Sequence, residues 1–190
     1  MYNIKNVLPI DQNYQNGLLP QRNSAGTFYQ ESSCRSSLAK FSLSSENRRI
    51  LRKTDNFTFE ISSIFFNLDI QKRIFGWLKE LEWDFPISSV KQVFTKHIFN
   101  YLYVWKLNDR VVAYSVCYFS PTISHIAYVF YDPVYSHGDL PIRLVLQFII
   151  DSRQKGLTYA YLGRFSKDSG YYKRTMPGFE YFKDNQWQKL

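Results

Sequence analysis

The amino-acid sequence predicts an α/β (α+β) fold: one mixed central sheet flanked by helices, preceded by an irregular N-terminal arm. Three observations carry this. First, the apolar run SHIAYVFYD (124–132) is followed by a long amphipathic segment and then by a second run, LTYAYLGRF (157–165). Strand, helix and strand in that order imply adjacent parallel strands joined by a right-handed crossover. Second, LYVWKL and RVVAYSVCYFS flank Asn108-Asp109, a residue pair that favours a tight hairpin. Third, 45% of the 190 residues are hydrophobic and 18% aromatic, with 8 Gly and 7 Pro. That composition excludes a disordered or collagen-like chain.

The elements follow in order. Residues 1–40 are polar and irregular, and SAGTFYQESS reads as a loop or docked arm; residues 41–190 form the domain. LSSENRRILRK (43–53) is a helix that Ser44 or Ser45 can cap, with Glu46 in its first turn. A weakly alternating strand covers 57–63. Asp69 caps the next helix, in which Ile70, Ile74, Trp77, Leu78 and Leu81 fall at helical spacing, and Pro86 closes the element. SSVKQVFTKHIFN places Val90, Phe94 and Ile98 on one face of a second helix. After the hairpin, Pro121 ends its second strand. The nearly continuous apolar run after it is a central strand. The helix IRLVLQFIIDSRQK ends at Gly156. Two helices, a three-strand meander, a helix and a strand is also the order of GNAT-like N-acetyltransferases.

Charge is unevenly spread. The net charge is +8. All of the excess lies in two segments: 35–53, with Arg35, Lys40, Arg48, Arg49, Arg52 and Lys53 against Glu46, and 164–190, with six basic and three acidic residues. Clustered cations suit a polyanion such as a nucleic acid, and equally a solvated helix face. No stretch approaches the ~18 consecutive apolar residues of a membrane span. The N-terminus lacks a signal-peptide pattern, so the expected address is cytoplasmic.

Catalytic motifs are sparse. No G-x-S-x-G occurs. Of the three histidines, His97 falls among apolar helix positions, His125 begins a strand, and His137, in the loop SHGD, is the favoured acid or base. Cys117 reads as a buried thiol, whereas Cys34 stands beside Arg35, which would favour its thiolate. Two cysteines make neither a disulfide scaffold nor a metal set. GNAT acyl-CoA enzymes carry a glycine-rich turn after the central strand, whose N–H groups grip pyrophosphate. Here that turn reads YDPVYSHGDLP, with Asp132, Pro133 and Asp139, so acyl-CoA is a poor fit.

Several blocks resemble the aminoacyl-tRNA–protein transferases, the arginyl and bacterial leucyl enzymes of the N-degron pathway. FSLSSENRRILRK is similar to their F-x-P-S-x-S-Q-R-R, with Phe41, Ser44, Arg48 and Arg49 in register and Arg35 six residues before Phe41. YVFYDP (Tyr128–Pro133) resembles Y-x-Y-Y-D-P, and GLTYAYLG resembles L-x-Y-Y-Y-L-G. Tyr172-Lys173, Pro177, Phe179, Glu180 and Trp187 echo the family's later positions. The family's N-terminal cysteine cluster is reduced to Cys34, so no iron–sulfur cluster and no other cofactor is expected.

The resemblance implies a GNAT-like domain that moves an aminoacyl group from tRNA, as co-substrate, to the α-amine of a protein or peptide. The residues then expected to act are Tyr131, Asp132 and Tyr172 in catalysis. Arg35, Ser44, Arg48, Arg49, Arg52, Lys53, Arg164 and Lys173 are expected on tRNA, and Tyr161, Gly163 and Glu180 in the pocket. No metal and no membrane partner is expected. Two other readings stay open: an acyl-CoA N-acyltransferase acting on a small amine, and a basic RNA-binding module without catalysis.

Overall fold

The computed structural model describes residues 9–22, 26–95, 98–166 and 170–189; His97 lies outside them. In chain order the elements are α1 (Pro9–Gln15), β1 (Leu18–Pro20), β2 (Phe28–Gln30), β3 (Ser33–Ser37), α2 (Ser45–Lys53), β4 (Thr58–Ser63), α3 (Leu68–Glu80) and α4 (Ile87–Thr95). Then come β5 (Tyr101–Leu107), β6 (Arg110–Phe119), β7 (Ile123–Tyr131), α5 (Leu140–Gln154), β8 (Tyr159–Arg164), β9 (Phe179–Lys183) and β10 (Gln186–Gln188). β1 and β2 form a small hairpin, and the other eight strands form one sheet in the order β10-β9-β3-β8-β7-β6-β5-β4. Every neighbouring pair is antiparallel except β7 and β8, the parallel pair joined by α5.

Local chemistry explains the boundaries. Asn108 and Asp109 both adopt positive φ, 48° and 64°, the requirement of the two-residue hairpin turn between β5 and β6. The Ser44 side chain accepts from the Asn47 N–H while the Asn47 side chain accepts from the Ser44 N–H, a reciprocal cap that starts α2. α3 is capped by Asn67, which accepts from the Ile70 N–H at 2.9 Å, and not by Asp69. Asp69 is already inside the first turn, where its charge suits the helix dipole. At the end of α5, Gly156 takes φ +73° and donates to the Arg153 carbonyl, and the Leu157 N–H reaches the Ser152 carbonyl. That pair of bonds is the left-handed helix stop a glycine permits.

The sheet has a core on each face. α5 packs Leu144, Val145, Phe148 and Ile149 on Trp105, Val112, Cys117 and Ile126. α1, α3 and α4 pack Tyr14, Ile74, Trp77, Val90 and Phe94 on Leu102, Tyr114, Val116 and Tyr161. Of the stretch expected as an arm, 1–40, the described residues therefore pack into the domain. β3 lies between β8 and β9 with all five residues buried, and Tyr14 has no exposed surface. The polar string SCRSS hides because its partners come from far along the chain. Arg35 pairs with Glu180 at 2.9 Å, and its guanidinium lies 3.6 Å from the Tyr159 ring centre and 4.0 Å from that of Trp187. Among the described residues no helix is long and apolar enough to cross a membrane.

Candidate active site

The parallel pairing of β7 and β8 is short. It runs Ile123↔Tyr159, Ser124↔Ala160 and His125↔Tyr161, then stops, although β7 continues to Tyr131 and β8 to Arg164. Two irregularities drive the strands apart. The β6–β7 register shifts so that Val116 faces Tyr128 while Cys117 faces Ile126, which leaves Ala127 as an extra residue. On the other side, Cys34 faces Gly163 while Arg35 faces Tyr161, which leaves Leu162 extra. Bulges of this kind bend a strand and raise its twist. The result is a gap between Tyr128–Tyr131 and Leu162–Arg164. A cleft of about 500 Å³ opens beside it, lined by Pro20, Gln21, Arg22, Tyr29, Tyr128 and Arg164.

Several polar groups meet at this gap. Gly163 has φ +79°, and a Cβ placed there would lie 3.7 Å from His125 Nε2 and 3.9 Å from Lys173 Nζ. Lys173 Nζ donates to the Arg164 carbonyl at 2.9 Å. Burial lowers the Lys173 pKa from its ordinary value, with the Cys34 thiol acting weakly the other way. His125 is 3% exposed. Burial, then the Lys173 charge, push its pKa down to about 3, so the imidazole is neutral. The Cys34 thiol donates to the Gly163 carbonyl, and burial pushes its pKa up to about 12. The thiolate expected from the Arg35 neighbour is thus not formed, because Arg35 turns to Glu180 instead. Burial also raises Tyr172, as do the Cys34 and Tyr131 groups, although 37% of the residue is open to solvent. Burial raises Tyr131 too.

The expected site residues divide. Tyr131, Tyr172, Lys173, Gly163 and Arg164 lie along the gap. Asp132 is engaged within its own turn instead. One of its oxygens accepts from the Val134 N–H, and the other pairs with Arg110 at 2.6 Å. It caps a short turn, and both of its oxygens already hold a partner within the fold. Arg35 and Glu180 are each 6% exposed and neutralise one another, with Lys40 on the second Glu180 oxygen. Neither a phosphate contact nor a pocket lining is open to them. Tyr161 has no exposed surface and its hydroxyl faces Arg35 at 3.4 Å. Ser44 is the cap of α2.

On α2, Arg48 and Arg52 are exposed, whereas Arg49 and Lys53 are bound to Asp139 at 3.2 Å. Asp139 is the residue before α5, and its carboxyl is held below the usual range by the Arg49 hydrogen bond, then by Lys53. His137, the histidine favoured by sequence, is exposed on the loop before α5. Reasoning from sequence missed His125. The signal was a lone imidazole inside an otherwise apolar strand, next to the point where pairing fails. Among the described residues no group of three His, Cys, Asp or Glu side chains could hold a metal.

Neither the models of protein families nor the curated proteins include a match to this sequence. Solved structures do match. The chain superposes on a GCN5-related glucosamine N-acetyltransferase region of a fungal multi-domain β-N-acetylglucosaminidase with a TM-score of 0.51, at 14% identity, covering 80% of this chain and 19% of that one. The fold is GNAT-like. FemX matches with a TM-score of 0.52 at 13% identity, over 86% of this chain and 62% of that one. The C-terminal domain of a protein described as a lysylphosphatidylglycerol synthetase, from Agrobacterium fabrum, matches with a TM-score of 0.56 at 15% identity. That alignment covers 70% of this chain, which spans 46% of the matched structure.

Proposed function

We propose that this protein transfers an aminoacyl group from an aminoacyl-tRNA to the N-terminal α-amine of an acceptor protein or peptide. The observation that carries the reading is Asp139. In a GNAT acyl-CoA enzyme the turn before this helix and the helix N-terminus grip pyrophosphate. Here that position holds a carboxylate tied to Arg49 and Lys53, and Pro141 in the first turn of α5 offers no N–H. A diphosphate would have to displace the Asp139 carboxylate from Arg49 and Lys53. The exposed cations Arg48 and Arg52 instead suit a larger polyanion that approaches from α2. The lysyl group in the name of one structural neighbour is itself an aminoacyl group.

The chemistry asks little beyond placement, because the ester is already activated. The acceptor amine, unprotonated, enters from the cleft between Tyr29 and Tyr128 and attacks the ester carbonyl carbon in the gap. A nitrogen–carbon bond forms and the carbonyl π pair moves onto oxygen. Collapse then breaks the bond to the ribose oxygen, which takes up the proton shed by the nitrogen. Lys173 at the gap offers a positive charge to the tRNA 3′ end. Incubation with labelled aminoacyl-tRNAs and peptides beginning with Asp, Glu, Lys or Arg tests this. The expected result is label on the peptide α-amine. Label on no peptide from any aminoacyl-tRNA refutes it.

A further inference from the structure

His125 Nε2 is one of several buried polar atoms without a hydrogen-bond partner among the described residues. His125 Nδ1 lies 2.7 Å from the Tyr14 hydroxyl, but Nε2 has no exposed surface. An unpaired buried nitrogen costs about 1–3 kcal/mol. This one stands where β7 and β8 part. Gly163, across the gap, bears no side chain, and the space its Cβ would fill is bounded by Nε2 at 3.7 Å and Lys173 Nζ at 3.9 Å. Two nitrogens thus converge on one small notch beside the buried middle of β8.

The position of the imidazole proton follows from counting donors and acceptors. If the Tyr14 O–H donates to Nδ1, the proton of the neutral ring sits on Nε2, and that N–H alone lacks a partner. If Nδ1–H donates to Tyr14, both the phenol proton and the Nε2 lone pair are left without one. The first arrangement wastes less. Burial keeps the imidazole neutral and raises the Tyr14 pKa, so in either arrangement the phenol keeps its proton.

We propose that the Gly163 notch, where His125 Nε2 is covered in this structure, opens as an oxyanion site when the ester enters, with His125 Nε2–H and the Lys173 ammonium donating to the carbonyl oxygen of the aminoacyl ester. This rests on the aminoacyl-transfer reading above. As the amine attacks, the π pair collects on the oxygen facing these two donors, and their bonds shorten as the charge grows. His125 is then a catalytic residue that gives a hydrogen bond and never gives up its proton. Tyr14 is a positioning residue that fixes the tautomer. Helix α1 thereby supports the reaction, although it lies in the stretch that looked like an arm.

Nitrogen-15 NMR of the histidines tests this, with a phosphonate analogue of an aminoacyl-adenosine as probe, since its tetrahedral oxyanion copies the intermediate. The expected result is a neutral Nε2–H tautomer for His125 from pH 5 to 8, whose Nε2–H resonance moves downfield when the analogue binds. In single-turnover transfer, His125→Leu should lower the rate about 100-fold or more at unchanged KM. His125→Gln, which keeps an N–H near the same point, should recover to within about tenfold. Tyr14→Phe should let the other tautomer appear in the NMR spectrum. An Nδ1–H tautomer in the wild type, an analogue that leaves Nε2–H unmoved, or a folded His125→Leu variant within about twofold of wild type overturns the proposal. A wild type that binds the analogue through Nε2–H but transfers nothing from any aminoacyl-tRNA refutes the transfer reading and upholds the oxyanion site.

Discussion

Acid should destabilise this fold through His125 well before its carboxylates titrate. The imidazole is 3% exposed and its folded-state pKa is lowered to about 3. In the unfolded chain it returns to about 6.5. Above that value both states are neutral and the group contributes nothing to the pH dependence. As pH falls below it, the unfolded state binds a proton that the folded state refuses, so stability drops. At pH 5 the deficit is about 1.5 pH units at ~1.4 kcal/mol each, or roughly 2 kcal/mol. The Asp139 and Glu180 pKa values are lowered too, but from a lower ordinary value, so their contribution is kept above the ordinary carboxylate pKa and lost only in stronger acid. The assay is urea unfolding at pH 7.5 and 5.0 for the wild type and His125→Gln. The wild type should lose about 2 kcal/mol more than the variant between the two pH values. A difference below about 0.5 kcal/mol, or an imidazole that titrates near 6 by NMR, would mean that the folded state takes up the proton as readily as the unfolded chain.

Three other outcomes follow from the same geometry. Arg48→Ala with Arg52→Ala should weaken tRNA binding and lower its logarithmic salt slope by about 1 to 2, read by filter binding across a salt series. Asp132→Asn should leave single-turnover transfer within about twofold, under ~0.4 kcal/mol of barrier, because its oxygens hold a turn and Arg110. Arg35→Leu should cost about 3 kcal/mol in urea unfolding, since it strands the buried Glu180 carboxylate with Lys40 alone.

The parts of the fold legible in the sequence are those whose information is local. Asn108-Asp109 fixes a hairpin because the turn needs two positive φ angles, and Gly156 stops α5 for the same kind of reason. The parallel β7–α5–β8 unit shows in two apolar runs around an amphipathic one. β3 was not legible. Its burial depends on Glu180, Tyr159 and Trp187, which lie more than 120 positions along the chain. At the candidate site, the Tyr-Lys pair and Gly163 fell along the gap. Asp132 misled because a carboxylate after a strand looks the same in sequence whether it faces a substrate or caps the turn at Pro133. His125 was passed over for His137 because a histidine in an apolar strand reads as packing until the missing partner of Nε2 is seen.

On the proposed reading, the gap between β7 and β8 accepts an aminoacyl ester of tRNA as donor and is closed to acyl-CoA. A single-turnover reaction supplied with both labelled aminoacyl-tRNA and acetyl-CoA, with an acceptor peptide present and the product read by mass spectrometry, tests it most directly. The expected product is a peptide that carries the aminoacyl group on its α-amine and no acetyl group. An acetylated peptide without any aminoacyl product would contradict it.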